Sequence, residues 1–472
     1  MTPKHFHFSG ICGTAMASLA VLLKSRGHKV SGSDENTYPP MSDFLAENNI
    51  PIQTPYQIEN LLPHPDYVVV GNALSRGNAE VEYALEAHLH YLSMAELLKN
   101  EFIRSNCSVV ISGTHGKTTT TSLAAHVLNF CRKPTGFMIG GIAENFGASS
   151  RDVGQGGYFV IEGDEYDTSL FDKRSKFFHY LPDRLIINNI EFDHADIFNN
   201  IDEIKRSFTL MLRQIPRNGL VIANGDDDNA VEVAQNGYSP IITFGKTSRC
   251  DAIIKNIRPR TGDLGMTWSL QVQDQTHELK IPMLGEFNVY NATAVSLLAI
   301  HESIEISQIK AALLSFKSVR RRLQLVSKQS TIRVFDDFAH HPTAIKATIN
   351  AVRNSWPDAY IHAIYEVRSN TSLRKTHQNK MASAFQESNQ VTFCKPYRSD
   401  TLKADEKIDL NLVTRELEDR NISAVVIDDL DHIVDHAIKS AKPGHIILVM
   451  SLGDFGGIQH KIAAILDQHE FR

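Results

Sequence analysis

The stretch Gly113-Thr114-His115-Gly116-Lys117-Thr118-Thr119 holds residue types whose spacing implies chemistry. An apolar run, Cys107-Ser108-Val109-Val110-Ile111, precedes it, and a helical pattern, Ser122 to Leu128, follows. A strand that ends in a small-residue turn and opens a helix aims backbone N–H groups at an anion. The positive helix N-terminus adds to that attraction. Lys117 supplies a point charge for terminal phosphates, and the Thr118 hydroxyl is placed to ligate Mg²⁺. The general eight-residue phosphate loop asks for glycine at position 111, where this chain has isoleucine, so the match to that rule is incomplete.

Two acidic segments follow strand-like runs downstream. Glu162-Gly163-Asp164-Glu165 follows Tyr158–Ile161, and Asn188-Asn189-Ile190-Glu191-Phe192-Asp193-His194-Ala195-Asp196 follows Leu185–Ile187. One acidic strand end is as readily a solvated turn or a helix cap. Two of them after a phosphate loop point to hard divalent ions bridging substrate phosphates. A third feature, Gly10-Ile11-Cys12-Gly13-Thr14, resembles a dinucleotide turn, with acidic Asp34 about 20 residues on. The full Gly-x-Gly-x-x-Gly is missing, so a nucleotide site and a structural turn both remain open there.

These segments need strands and helices to position them, and the chain starts such a unit three times: at His5–Phe8, at Cys107–Ile111 and at Thr331–Phe335. Strands alternating with helical stretches predict an α/β protein built on parallel sheets. Three domains follow: a Rossmann-like unit over 1–106, a central phosphate-loop unit over 107–322, and a second Rossmann-like unit over 323–472. The alternation Thr267-Trp268-Ser269-Leu270-Gln271-Val272, within a polar insertion at about 251–279, predicts a solvent-facing antiparallel strand.

Composition narrows the class. Of 472 residues, 48 are basic and 54 acidic, a formal charge of −6 that argues against sequence-independent nucleic-acid binding. Five scattered cysteines without a Cys-x-x-Cys pair point to reduced thiols, not a disulfide framework or a structural zinc site. The N-terminus shows no signal-peptide pattern, and no apolar run approaches the roughly 20 residues that cross a bilayer. The expected location is the cytoplasm, with no membrane partner.

Taken together the motifs resemble those of the Mur ligase family, over essentially the whole chain. That family's loop reads Gly-Thr-x-Gly-Lys-Thr/Ser-Thr, which residues 113–119 match in full, and it does not ask for glycine at position 111. Residues 162–165, Asp193-His194-Ala195-Asp196, Gly285-x-x-Asn288-x-x-Asn291, Arg320-Arg321-Arg322-Leu323 and Asp337–Pro342 recur in the family's order. The N-terminal glycine turn and His340-His341-Pro342 look like the branch acting on UDP-N-acetylmuramic acid itself. Within that branch, four stretches are similar to the member that attaches a preformed L-alanyl-γ-D-glutamyl-meso-diaminopimelate tripeptide in murein recycling. They are Gly32-Ser33-Asp34 with Tyr38–Ser42, Gly71-Asn72-Ala73 with Arg76-Gly77-Asn78, Phe171–Phe177, and Arg368-Ser369-Asn370-Thr371. The alternative is the member that adds free L-alanine, which carries a His-Arg pair where this chain has Val367-Arg368.

The resemblance implies an ATP-dependent ligase with ATP as co-substrate, Mg²⁺ as cofactor, and UDP-N-acetylmuramate and a murein tripeptide as partners; a monomer is expected. It implies that Gly113–Thr119 grip the phosphates and that Lys117, Glu162 and His194 are catalytic. Thr118 and Glu162 would hold one Mg²⁺ and His194 a second. Asn288 and Asn291 would approach adenine, Arg322 the terminal phosphates, and Asp337 the ribose. Gly10, Ile11, Cys12, Gly13 and Thr14, with Asp34 and Asn72, would hold the UDP-sugar and not a nicotinamide. Arg368 suits a bidentate pairing with a peptide carboxylate, and Asn370 a directional hydrogen bond. Departures are Phe287, where the branch often has histidine, and Val367, where the tripeptide-adding member often has proline. Thr209 stands where several family members place a carbamylated lysine, and nearby Lys205 is given no such role. A motor or switch leaves Asp193-His194 and Asn288/Asn291 unexplained, a nicotinamide dehydrogenase leaves Lys117 unexplained, and a sensing module without catalysis would not need intact metal residues.

Overall fold

Runs such as Val109-Val110-Ile111, fully buried on both faces, form strands only inside a sheet covered by helices on each side. The computed structural model describes residues 2–39, 41–194, 197–260, 264–368, 372–395 and 406–468, and it is an α/β architecture on three main sheets. The first has five parallel strands in the spatial order Ile52–Gln53, Lys29–Ser33, His5–Ser9, Tyr67–Val70, Tyr91–Ser93. The third has six in the order Gln324–Leu325, Arg333–Asp337, Ile446–Met450, Ile361–Glu366, Gln390–Cys394, Ser423–Ile427; only the first of these runs antiparallel.

The ten-stranded middle sheet places the chemistry. Its neighbours Arg184–Ile187, Cys107–Ser112 and Tyr158–Gly163 are parallel, so their carboxyl ends lie side by side. That edge is where ligands meet open parallel sheets. The phosphate-loop sequence leaves the middle of these strands, and the two acidic segments leave the others. Alternate residues of Cys107–Ser112 feed different core layers. Val109 and Ile111 join the layer of helices Lys117–Phe130 and Glu286–His301, while Val110 joins a layer continuous with Phe6, Phe8 and Leu19 of the first sheet. The first two sheets therefore share a core. Arg26 reinforces that seam, pairing with Asp152 at 2.6 Å while its guanidinium lies 3.9 Å above Phe102.

The strand Met266–Val272 is antiparallel as expected, paired between Ala252–Pro259 and Gln275–Ile281 in an extension of the middle sheet. Trp268 and Leu270 are completely buried, while on the other face Ser269 and Gln271 are half-buried and Thr267 is buried, so that face is only partly open to solvent. Asp336 and Asp337 end the strand Arg333–Asp337, where both are buried. Among the described residues no helix is long and apolar enough to cross a membrane.

Candidate active site

The isoleucine at position 111 has a structural reason. The strand continues to Ser112 with Ile111 between Ile186 and Glu162, so the chain cannot turn before Gly113. Two glycines are then obligatory. At Gly113, φ is +133° and an added Cβ would lie 2.9 Å from the Asn189 carbonyl oxygen; at Gly116, φ is +81° and it would lie 2.8 Å from Asn291 Oδ1. Helix Lys117–Phe130 begins immediately after, leaving its first-turn N–H groups without intrahelical acceptors.

The segment after Arg184–Ile187 straps this loop. Thr114 N–H donates to the Asn189 carbonyl at 3.1 Å, His115 N–H to Asn189 Oδ1 at 2.8 Å, and Glu191 N–H to Thr114 Oγ1 at 2.8 Å. Lys117 Nζ donates to the Gly113 carbonyl at 2.7 Å and to Glu165 Oε2 at 2.9 Å. Burial works against the Lys117 charge, but Glu165 and Asp164 outweigh it and hold its pKa above the ordinary lysine value. Asn188, Asn189 and Glu165 had no assigned role, because pairings between separate strand ends leave no spacing signal.

Thr118 lies against Glu162 and Arg322. Its hydroxyl donates to Glu162 Oε2 at 3.0 Å and accepts from Arg322 Nη2 at 2.9 Å, while Gly140 N–H donates to Glu162 Oε1 at 2.5 Å. Burial raises the Glu162 pKa, against the pull of Gly140, Arg322 and Lys117. A half-buried carboxylate beside a hydroxyl and Asp164 is a hard oxygen donor set that fits Mg²⁺. His194, at φ +56°, lies along the same cleft with its ring 4.3 Å from Tyr166.

That cleft holds about 480 Å³, with Thr14 of the first domain, Gly116–Thr118, Glu162, Lys176 and His194 among its walls, and Arg322 and His340 facing them. A second cleft of about 500 Å³ takes in Thr119, Phe287, Asn288, Asn291 and Asp337. The two meet at His115, Gly116 and Arg322. Asn288 and Asn291 lie one turn apart, and Asn291 Nδ2 donates to Asn288 Oδ1 at 3.1 Å. Asp337 accepts from Leu323 N–H at 2.6 Å and Ala339 N–H at 2.8 Å, so its oxygens hold the junction between the middle and third sheets.

The N-terminal turn lies apart from these walls except at Thr14. Gly10 and Ile11 donate backbone N–H groups to the Ser33 carbonyl, and Cys12 N–H donates to Asp34 Oδ2 at 2.9 Å. Gly13 N–H turns back to the Gly10 carbonyl, and Asn72 is exposed beside Gly71. Arg368 borders neither cleft; its Nη1 lies 3.3 Å from Glu366 Oε1 and 3.8 Å from Asp454 Oδ1. Asn370 and Asp196 lie outside the described residues.

Family comparisons cover this whole arrangement. The Mur ligase middle domain matches residues 111–299, the Mur ligase family catalytic domain 5–104, and the Mur ligase glutamate ligase domain 321–453. The chain belongs to the Mur ligase family. As a Mur ligase it is an ATP-dependent ligase. It is 41% identical to the UDP-N-acetylmuramate–L-alanyl-γ-D-glutamyl-meso-2,6-diaminoheptandioate ligase of Haemophilus influenzae, covering 97% of this chain and 98% of that one. It is 38% identical to the ligase of that name from Escherichia coli, over 97% of each. A crystal structure of a murein peptide ligase from Psychrobacter arcticus superposes with a TM-score of 0.71, at 34% identity and 99% coverage of both chains.

Proposed function

We propose that this Mur ligase joins the lactyl carboxylate of UDP-N-acetylmuramate to the L-alanyl amine of L-alanyl-γ-D-glutamyl-meso-diaminopimelate, converting ATP to ADP and phosphate. The supporting observation is the meeting of two clefts at the phosphate loop, with Arg322 opposite Thr118, in a chain similar along its length to two ligases named for that reaction.

A carboxylate does not acylate an amine at neutral pH until it carries a leaving group. Phosphoryl transfer from ATP supplies one as an acyl phosphate. Asn288 and Asn291 receive the adenine side and Asp337 the ribose side, and Gly113–Thr119 receive the phosphates. Lys117, once the phosphates draw it from Glu165, and Arg322 offset the charge of two anions brought together. Thr118 and Glu162 would hold one Mg²⁺ and His194 a second, and these would add positive charge against the transferring group. The neutral amine attacks the acyl carbon, phosphate leaves with the bonding pair, and the nitrogen gives up a proton to complete the amide.

Gly10–Thr14, Asp34 and Asn72 hold the UDP-sugar, in a domain taken as 1–106; ATP belongs to 107–322. Arg368 and Asn370, in 323–472, hold the peptide. Closure of these parts around the clefts would exclude water from the acyl phosphate. The enzyme works in the cytoplasm as a monomer. Supplying UDP-N-acetylmuramate and ATP with either the tripeptide or free L-alanine, and weighing the products by mass spectrometry, tests the reading. The tripeptide adduct is expected; a product from L-alanine alone would overturn it.

A further inference from the structure

His115, Glu191 and His341 each place one ligand atom within 4.8 Å of the other two, apart from the oxygen-donor set at Thr118 and Glu162. His115 comes from the phosphate loop, Glu191 from the strap beneath it, and His341 from the third domain. His341 is 4% exposed, and its Nε2 is buried without a hydrogen-bond partner among the described residues; His115 Nε2 is in the same condition. His115 Nε2 stands 3.7 Å from Glu191 Oε2, which also accepts the Thr343 hydroxyl at 2.8 Å. Buried polar atoms left unpaired are costly, and two such histidines gathered around one carboxylate call for an explanation.

Two imidazoles with a single carboxylate suit a borderline transition ion better than Mg²⁺, and they form a zinc donor set with a fourth position open. We propose that His115, Glu191 and His341 bind a divalent transition ion such as Zn²⁺, tying the phosphate loop to the third domain in the nucleotide-free enzyme. Ligands about 2.0–2.2 Å from a tetrahedral ion stand roughly 3.3 Å apart. The observed spacing is wider, so binding draws the two parts together by rotation of the rings. His341 Nδ1 accepts Thr343 N–H at only 3.3 Å, so the proton can move to Nδ1 and free Nε2 at the expense of a long cap. His115 also borders both clefts, so the ion and ATP compete for the loop. Their mutual weakening is equal by linkage.

The test uses full-length, chelator-stripped protein without nucleotide and with excess Mg²⁺, titrated with Zn²⁺ by equilibrium dialysis and with Co²⁺ by visible absorption. One equivalent with a tetrahedral Co²⁺ spectrum is expected. His341→Asn, which keeps a capping side chain, and Glu191→Gln should each bind at least about tenfold more weakly, the lower end of losses when even an outer partner of a metal ligand is removed. Glu162→Gln should bind Zn²⁺ as the parent does. Undiminished binding in both His341→Asn and Glu191→Gln, or loss of Zn²⁺ in Glu162→Gln alone, would overturn the site. Circular dichroism of each variant separates ligand loss from unfolding, and the Glu191→Gln result decides if His341→Asn does not fold.

Discussion

Lys117 Nζ sits 2.9 Å from Glu165 Oε2, so the cation that must meet ATP is folded back onto a carboxylate of the neighbouring strand end. The Lys117 side chain is 16% exposed and that of Glu165 4%, a pair largely removed from water. A buried charge that loses its partner is costly, so Glu165 keeps Lys117 charged and ordered until phosphate arrives.

Glu165→Gln leaves Lys117 buried without its ion-pair partner. Nucleotide-free protein should lose about 3 kcal/mol of stability, typical of breaking one side of a buried pair. Saturating ATP should recover most of it, because the phosphates take over as partner. Urea unfolding with and without nucleotide measures both; an equal loss in the two states would show that the pair plays no part in gripping ATP.

Mg²⁺ dependence should follow the ionisation of Glu162. Burial raises its folded pKa, so the neutral acid persists to higher pH than in a free glutamate. The stability that the neutral form gives is fully present below the ordinary glutamate value and is lost as pH rises through the folded one. Cation binding runs the other way, since it needs the carboxylate. Apparent Mg²⁺ affinity should therefore weaken as pH falls toward the folded pKa, beginning above the usual carboxylate range. In Glu162→Gln the affinity should be much lower and nearly flat with pH, a comparison open to isothermal titration.

Much of the site was legible because its residues announce themselves by type. Glycine at 113 and 116, lysine at 117 and strand-end acids at 162 and 193 are required by local backbone geometry or charge, and such requirements leave short patterns. The three-sheet architecture was legible for the same reason, from apolar runs that alternate with helical stretches. Pairings across the fold were not. Nothing in the spacing of Lys117 and Glu165, of Thr114 and Asn189, or of Glu191 and Thr343 says that they touch, because each contact is made by strand order and not by sequence distance. The alternation in Met266–Val272 announced an antiparallel strand, but alternation alone does not tell how far the polar face is open to water, and Thr267 on it is buried.

Arg368 can be displaced without being replaced. A methyl group on Gly453 would lie within 2.8 Å of Arg368 Nε, so Gly453→Ala should push the guanidinium off its place beside Glu366. If Arg368 holds a peptide carboxylate, Arg368→Ala should raise the KM for tripeptide by a factor on the order of 100, from losing about 2–3 kcal/mol of charge-assisted hydrogen bonding. Gly453→Ala should show a smaller rise of the same kind, and neither should alter the KM for ATP. Steady-state kinetics with each substrate varied in turn checks this, and an unchanged tripeptide KM in Arg368→Ala removes the assignment.

Glu80 should prove the keystone beneath the N-terminal glycine turn. It is fully buried, and its Oε2 accepts the hydroxyls of Ser9 at 2.5 Å and Ser33 at 2.6 Å, while Oε1 accepts Asn60 Nδ2 at 2.8 Å. Ser9 and Ser33 end the two strands that lead into Gly10 and Asp34, so one carboxylate sets both sides of the turn. Burial alone would raise its pKa, but the donors His7, Ser33, Ser9 and Asn60 outweigh it and hold the value below 4.5. The carboxylate's contribution is therefore present above the ordinary glutamate value and is lost as pH falls through the depressed one. Glu80→Gln places a donor or a single weaker acceptor where two hydroxyls point, and should cost about 2–4 kcal/mol at neutral pH. That deficit should shrink as the parent is acidified below pH 4.5, because the parent then loses what the variant already lacks. UDP-sugar binding should weaken while ATP binding at Gly113–Thr119 is kept. Urea unfolding as a function of pH, with calorimetric titration of each nucleotide, reads out both effects; a stability difference that stays constant into acid would show that the carboxylate's charge is not what holds the turn.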